Sequence, residues 1–421
     1  MKEIKTLRGL DATVCVPGSK SFTQRALVIA SLAEGKSLLQ NALISDDSTH
    51  LMEGLRALGA GIQIHEKDIH VTGTGGRLKN PGESIYLGNN GTAMRLLTSL
   101  VALGEGEYVL TGTERLCQRP IGPLLDALRS FGIEARGRGG DGFPPVVVQA
   151  GGLLGGRITF KDILSSQFVS SLMICAPYAK RETIIDLEGR VRSYPYVEMT
   201  REVMEAFGVP VRHDKPNRFI VSGNKRYQSR EYAIEGDASS ASYFFLAAAV
   251  CGGRIRVENL PPLTRQGDIG ILSILEKLGC RVIRGKNGVE VQGTELNRGE
   301  YVFDLGNMPD MVPTLAALST RRFGRTVIRN VSHLRFKESD RLKALATELR
   351  KMKIQAQETE DGLAIEGGAA KGALIETYDD HRIAMSFAVL GLVVPGMRIQ
   401  NPDCVGKSFP DFWDKIGGLY R

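Results

Sequence analysis

Six stretches of this chain end alike, and that recurrence limits the fold more than any other feature. LRALGAGI from Leu55, LRSFGIEA from Leu128, MEAFGVPV from Met204, LEKLGCRV from Leu275, LRKMKIQA from Leu349 and the weaker WDKIGGLY from Trp413 follow one another, a spacing of modular units. Each reads as the last turn of an amphipathic helix, closed by a glycine able to adopt a left-handed cap, and then a strand. Gly59, Gly132, Gly208, Gly279 and Gly417 fill the capping position; Lys353 replaces it once. After the first five copies comes a short alternating strand beside a glycine: HVTG, VVVQ, FIVSG, VEVQG and LAIEG. Upstream of every copy lies an apolar, small-residue helix with a polar start, and then a strand. Those starts are SKSFTQRAL, NNGTAMRLL, SSQFVSSLM, DASSASYFF, MPDMVPTLA and DDHRIAMSF. The repeat unit is therefore strand, buried helix, strand, surface helix, strand, strand, present six times. It predicts an α/β fold of mixed, helix-covered sheets. Six such units exceed one core, so two domains of three units each are expected, dividing near residues 229–232.

Charge narrows the ligand class. The 421 residues carry a formal net charge of +7 and a pI of about 9.0, which favours an anionic partner. Lysine and arginine are scattered, aromatic residues make up 6%, and there is neither a basic block nor zinc-finger spacing. Small phosphates or carboxylates are therefore expected rather than nucleic acid. Cysteines 15, 117, 175, 251, 280 and 404 stand far apart with no C-x-x-C, which reads as reduced, buried thiols in a cytoplasmic protein. The start, MKEIKTLRGLDATV, lacks the apolar stretch of a signal peptide. The longest apolar runs, around 243–250 and 383–394, are shorter than the roughly 20 residues of a membrane span and predict buried helices.

Polar residues collect at helix beginnings. Lys20, Ser21, Asn89, Asn90, Thr92, Ser165, Ser166, Asp310 and His381 open the buried helices; Arg119, Ser193, Lys337, Glu338 and Lys407 open or precede the surface helices. For a single Ser, Asn or Asp an ordinary cap explains the position. For Lys20, Arg119, Lys337 and Lys407 it does not, because a cation there opposes the helix dipole. Arg25, Arg95, Arg341 and Arg382 recur within the first turns of the helices. Each is either an internal salt bridge or part of an anion site, since guanidinium grips carboxylate or phosphate with two parallel bonds. A Walker A loop is excluded around Lys20, where Ser19 precedes the lysine. Asp379, Asp380 and His381 in YDDHR look like metal ligands but serve equally as a helix cap, and no metal is expected. No G-x-S-x-G elbow is present, and Cys117 beside Arg119 reads as an inert thiol.

Taken together, PGSKSFTQRAL, GNNGTAMRLL, QRPIGPLLDALR, SSQFVSSLM, FKESDRLKALATEL, DDHRIAMSFAV and GKSFPDFW closely resemble the EPSP synthase family, the 3-phosphoshikimate 1-carboxyvinyltransferases. The motifs run in order over nearly the whole chain. The resemblance implies a two-domain inside-out α/β barrel, with residues 1–15 and 233–421 against residues 16–232, and an active site in the cleft that closes on anionic substrates. It implies transfer of the enolpyruvyl group of phosphoenolpyruvate to the 5-hydroxyl of shikimate 3-phosphate, without a cofactor, in a cytoplasmic monomer.

By the same resemblance shikimate 3-phosphate falls to Lys20, Ser21, Arg25, Ser165, Ser166, Gln167, Ser193, Asp310, His333 and Lys337. Phosphoenolpyruvate falls to Lys20, Asn89, Gly91, Thr92, Arg119, Gln167, Arg341, Arg382 and Lys407. Asp310, Glu338, Lys20 and His381 are the implied catalytic residues. Two positions depart from the family pattern: Asn90 stands where alanine is common, and His333 where asparagine is usual. Two other readings compete. The sister transferase acting on UDP-N-acetylglucosamine carries a reactive loop cysteine, and the GTAMR and DRLKA motifs here do not suit it. A non-catalytic anion-binding repeat protein is favoured only by the charge.

Overall fold

The glycines that end the surface helices take the backbone conformation their position demands. In the computed structural model, which describes every residue except Gly139, Asp141, Pro216, Asn287 and Arg421, Gly59, Gly132, Gly208 and Gly279 have φ between 82° and 105°. Lys353 does the same job at φ 64°, a left-handed conformation that side chains other than glycine seldom adopt. Gly417 departs from the expectation. It is the last residue of a helix, followed by Gly418 in right-handed geometry, so the last copy of the motif has no left-handed stop.

The chain divides into two units, Gly18–Ile234 and Met1–Pro17 with Glu235–Arg421. The first carries α1 (Lys20–Leu32), α2 (Asp46–Ala57), α3 (Gly91–Val101), α4 (Glu114–Cys117), α5 (Gly122–Ser130), α6 (Gln167–Cys175) and α7 (Pro195–Ala206). The second carries α8 (Ala238–Cys251), α9 (Ile271–Lys277), α10 (Val312–Ser319), α11 (Arg341–Lys351), α12 (His381–Leu390) and α13 (Phe412–Gly417). α1, α3 and α6 are buried almost end to end, and so are α8, α10 and α12. That is the fate of helices apolar all round. The two long apolar runs are thus α8 and α12, and no helix among the described residues is long and apolar enough to cross a membrane. α2, α5, α7, α9 and α11 bury one face only.

Five of the six sheets among the described residues share one arrangement. A strand pairs in parallel with the strand beyond the buried helix, and a hairpin then adds two antiparallel strands. In the second repeat Ile85–Tyr86 lies beside Glu105–Thr111, followed by Val146–Gly151 and Glu134–Gly137. The first repeat of each unit breaks the sequence-local pattern. The strand before α1, Asp11–Val14, pairs with Arg254–Val257 of the second unit, while Glu231–Ala233 pairs with Lys36–Gln40 and fills its place in the first. The sixth repeat is also incomplete. Leu374–Ile375 and Arg398–Ile399 are joined by Lys2–Glu3 in a three-stranded sheet, with no hairpin of their own. Cysteines differ from expectation too: Cys175 and Cys280 are buried, but Cys117, Cys251 and Cys404 are partly accessible and Cys15 is exposed.

Candidate active site

In Gly18–Ile234 the helix starts meet in a polar network. The ammonium of Lys20, the first residue of α1, pairs with Asp47 at 3.1 Å. The anion that a lysine at this end of a helix calls for is thus supplied by the first turn of α2. Asn90 joins three helices. Its carbonyl oxygen accepts from Ala93 N at 2.9 Å and caps α3, while its amide donates to Gln24 Oε1 at 3.0 Å and to the Asp47 carbonyl at 2.7 Å. An alanine here would make none of these bonds.

Two guanidinium groups pack over the start of α3. Arg119 donates to the Asn89 carbonyl at 3.4 Å, and Arg95 donates to the carbonyls of Gly91 and Pro120 and to Gln167 Oε1. Gln167 in turn donates to Thr92 Oγ1 at 2.9 Å. A Cβ built on Gly91 would lie 2.5 Å from Arg119 Cζ and 2.6 Å from Arg95 Nη1. The missing side chain is what admits both cations. Arg95 therefore serves the protein's own carbonyls and Gln167.

Ser165 accepts from Gln167 N at 3.3 Å just ahead of α6, whose buried N-cap, Ser166, makes no side-chain cap bond. Ser193, with φ 59°, bends the chain into α7. Ser21 follows Lys20 in the first turn of α1. Arg25 is 1% exposed, and the partners of its guanidinium are the hydroxyls of Thr200 and Ser170 and the carbonyls of Ser21 and Tyr196. None of them is a carboxylate. Burial pushes its pKa down to about 10, so it remains a cation at neutral pH. Among the described residues no carboxylate pairs with this cation, a costly arrangement for a buried charge.

The second unit assembles ion pairs instead. Asp380 is the N-cap of α12 and accepts from Arg382 N at 3.0 Å. The same carboxylate takes Arg341 Nε at 2.7 Å and the Ser339 hydroxyl at 3.0 Å. Arg341 also holds Asp310 and Glu338, each at 2.8 Å. Arg382 takes the other oxygen of Asp310 at 2.7 Å and reaches the Tyr243 hydroxyl at 3.4 Å. Burial works against the charge of Arg341, yet Asp380, Glu338 and Asp310 outweigh it and raise its pKa. Burial likewise opposes the charge of Arg382, and Asp310 leads the groups that raise it. His381 is fully buried, its Nδ1 3.9 Å from Asp380 Oδ1. His333 lies in the 3-10 turn Ser332–Phe336 with Lys337 next in sequence, and Lys407 ends the turn Pro402–Lys407. Lys407 thus stands five residues ahead of α13 rather than at its opening. The two aspartates of YDDHR part company: Asp380 caps α12, while Asp379, at φ 53°, accepts from Asn401.

Residues 4–416 match the family model described as EPSP synthase (3-phosphoshikimate 1-carboxyvinyltransferase). The chain belongs to the EPSP synthase family. It is 45% identical over 411 residues to the 3-phosphoshikimate 1-carboxyvinyltransferase of Trichormus variabilis, covering 97% of this chain and 96% of that one. With the enzyme of the same name from Syntrophobacter fumaroxidans it shares 44% identity over 99% of both chains. A solved EPSP synthase from Acinetobacter baumannii has a TM-score of 0.82 to it at 27% identity, covering 99% of this chain and 97% of that one.

Within this EPSP synthase fold, several site-building residues escape sequence reasoning. Asp47 looks like a routine acidic residue in a first helical turn, and Thr200 sits well inside α7. Gln24 and Ser170 are polar residues in apolar helices, and that incongruity is the available signal. Tyr243 reads as core. The cations also divide differently from the sequence expectation: Arg341 and Arg382 are engaged by the chain's own carboxylates, whereas Arg25 is not.

Proposed function

We propose that this chain transfers the enolpyruvyl group of phosphoenolpyruvate to the 5-hydroxyl of shikimate 3-phosphate and releases phosphate. Family membership over residues 4–416 carries the reading. The chemistry accounts for the residue types. The carbon of phosphoenolpyruvate that bears the phosphate oxygen becomes electrophilic when its methylene neighbour is protonated, which calls for a positioned general acid. The 5-hydroxyl then adds to give a tetrahedral intermediate, and loss of a methyl proton expels phosphate. The electrophile is made by a proton, so the reaction calls for no metal or redox cofactor.

In this reading Asp310 accepts the hydroxyl proton and Glu338 works at the methylene carbon, assisted by Lys20 and His381. Arg119, Arg341, Arg382 and Lys407, with Lys20, Asn89, Gly91, Thr92 and Gln167, take the carboxylate and phosphate of phosphoenolpyruvate. Lys20, Ser21, Arg25, Ser165, Ser166, Gln167, Ser193, His333 and Lys337 take shikimate 3-phosphate, together with Asp310. The protein is read as a cytoplasmic monomer of two domains, residues 16–232 and residues 1–15 with 233–421. The hold of Arg341 and Arg382 on Asp310 gives the order of events a physical basis. When the anionic groups of phosphoenolpyruvate engage these guanidiniums, their grip on Asp310 relaxes and its oxygen becomes available to the hydroxyl.

Purified protein is expected to release phosphate only when both substrates are present; no release with the pair, or equal release without shikimate 3-phosphate, overturns the reading. Gly91→Ala tests the phosphoenolpyruvate half. Its Cβ meets the mobile ends of Arg119 and Arg95, so the fold is retained while Arg119 is displaced. Losing a charge-assisted bond of about 1.5–3 kcal/mol raises KM for phosphoenolpyruvate roughly 10- to 100-fold, with the melting temperature maintained by the helix preference of alanine.

A further inference from the structure

Arg25 is held by a hydrogen-bond arrangement with a single solution. Its Nε donates to Thr200 Oγ1 at 2.8 Å, Nη2 donates to the Tyr196 carbonyl at 3.2 Å and to Ser170 Oγ at 3.3 Å, and Nη1 donates to the Ser21 carbonyl at 3.0 Å. The Thr200 hydroxyl has one proton, and it goes to the Tyr196 carbonyl at 2.8 Å. Ser170 Oγ lies 2.7 Å from Thr200 Oγ1, so Ser170 must be the donor of that pair. Thr200 then accepts twice, from Arg25 and from Ser170, and both of its lone pairs are used. Four of the five guanidinium N–H groups are taken, leaving one on Nη1 among the described residues. The Tyr196 ring lies beside the group, 5.8 Å from Cζ.

These contacts tie α1 to α6 and α7. Ser21 opens the first of these helices, Ser165 and Ser166 precede the second, and Ser193 precedes the third. We propose that Thr200 and Ser170 are positioning residues for Arg25: they fix the plane of its guanidinium and aim its remaining N–H at shikimate 3-phosphate. This role rests on the assignment of Arg25 to that substrate. A guanidinium that could rotate would still carry its charge but lose the direction of its donor, and directed donors are where arginine differs from a point charge. The effect should therefore fall on one substrate alone.

Steady-state KM values for each substrate, with melting curves, on Thr200→Val, Thr200→Ser, Ser170→Ala and Arg25→Met in the full chain test the idea. Thr200→Val keeps the shape and removes the acceptor. It is expected to raise KM for shikimate 3-phosphate about 10-fold, the loss of roughly one hydrogen bond to a charged group, while KM for phosphoenolpyruvate stays within about twofold. Thr200→Ser restores the hydroxyl and should bring the value back to within about threefold of the parent. Ser170→Ala leaves Thr200 in place and should give a smaller rise for the same substrate, which keeps the test decisive if Thr200→Val fails to fold. If both KM values rise together, or serine does not rescue, Thr200 is only structural and the positioning role is wrong. Should Arg25→Met raise KM for shikimate 3-phosphate while Thr200→Val and Ser170→Ala do not, the positioning role falls and the assignment of Arg25 stands. An unchanged KM in Arg25→Met overturns the assignment itself.

Discussion

Asp310→Asn is expected to lower kcat by about 10²- to 10⁴-fold, the usual worth of a positioned general base. The carboxylate stands between two guanidiniums, at 2.8 Å from Arg341 and 2.7 Å from Arg382. An amide in its place turns a donor toward one of them, so the arginines shift and KM for phosphoenolpyruvate rises as well. The two kinetic constants separate the two effects. Near-normal turnover in Asp310→Asn removes Asp310 as the base. A rise in KM for phosphoenolpyruvate with kcat unchanged leaves Asp310 holding the arginines and nothing more.

Asp380→Ala is expected to give the largest loss of stability among single changes at the site. Asp380 is fully buried and gathers the Nε of Arg341, the Ser339 hydroxyl and the backbone N–H that begins α12. Removing one partner of a buried ion pair costs up to about 3–5 kcal/mol; Arg341 keeps Asp310 and Glu338, but its Nε is left buried and unmatched. Losing the helix cap adds roughly 1 kcal/mol. Denaturant unfolding should show a drop of that size, and Asp380→Asn should recover the cap portion but not the charge portion. A loss under about 1 kcal/mol in Asp380→Ala would mean that Asp310 and Glu338 alone compensate Arg341. Because Arg341 turns toward those two carboxylates once Asp380 is gone, activity should fall with stability.

Much of the fold was readable from the chain because it depends on local rules. The apolar, small-residue segments became α1, α3, α6, α8, α10 and α12, since a helix without a polar face has nowhere to go but inside. Gly59, Gly132, Gly208 and Gly279 stop their helices because only glycine takes positive φ at little cost. Asn90 and Asp380 cap theirs by bonds spanning two or three residues. The helix starts that carry the motif residues are local features of the same kind, and so they too could be found by reading along the sequence.

Tertiary structure alone decided whatever joins residues far apart. The family resemblance places residues 1–15 with the second domain, but no residue near Asp11–Val14 announces Arg254–Val257 as its partner, or says that Glu231–Ala233 takes the place beside Lys36–Gln40. Parallel strands are matched by register and burial, and any strand of the right pattern satisfies the local code. The same holds for charge. Arg25, Arg341 and Arg382 look alike in the sequence, yet the packing of α6 and α7 surrounds the first with hydroxyls and carbonyls while Asp310 and Asp380 neutralise the others. Whether a buried cation is already compensated depends on which side chains lie within a few ångströms of it, and that distance is set only when the helices pack.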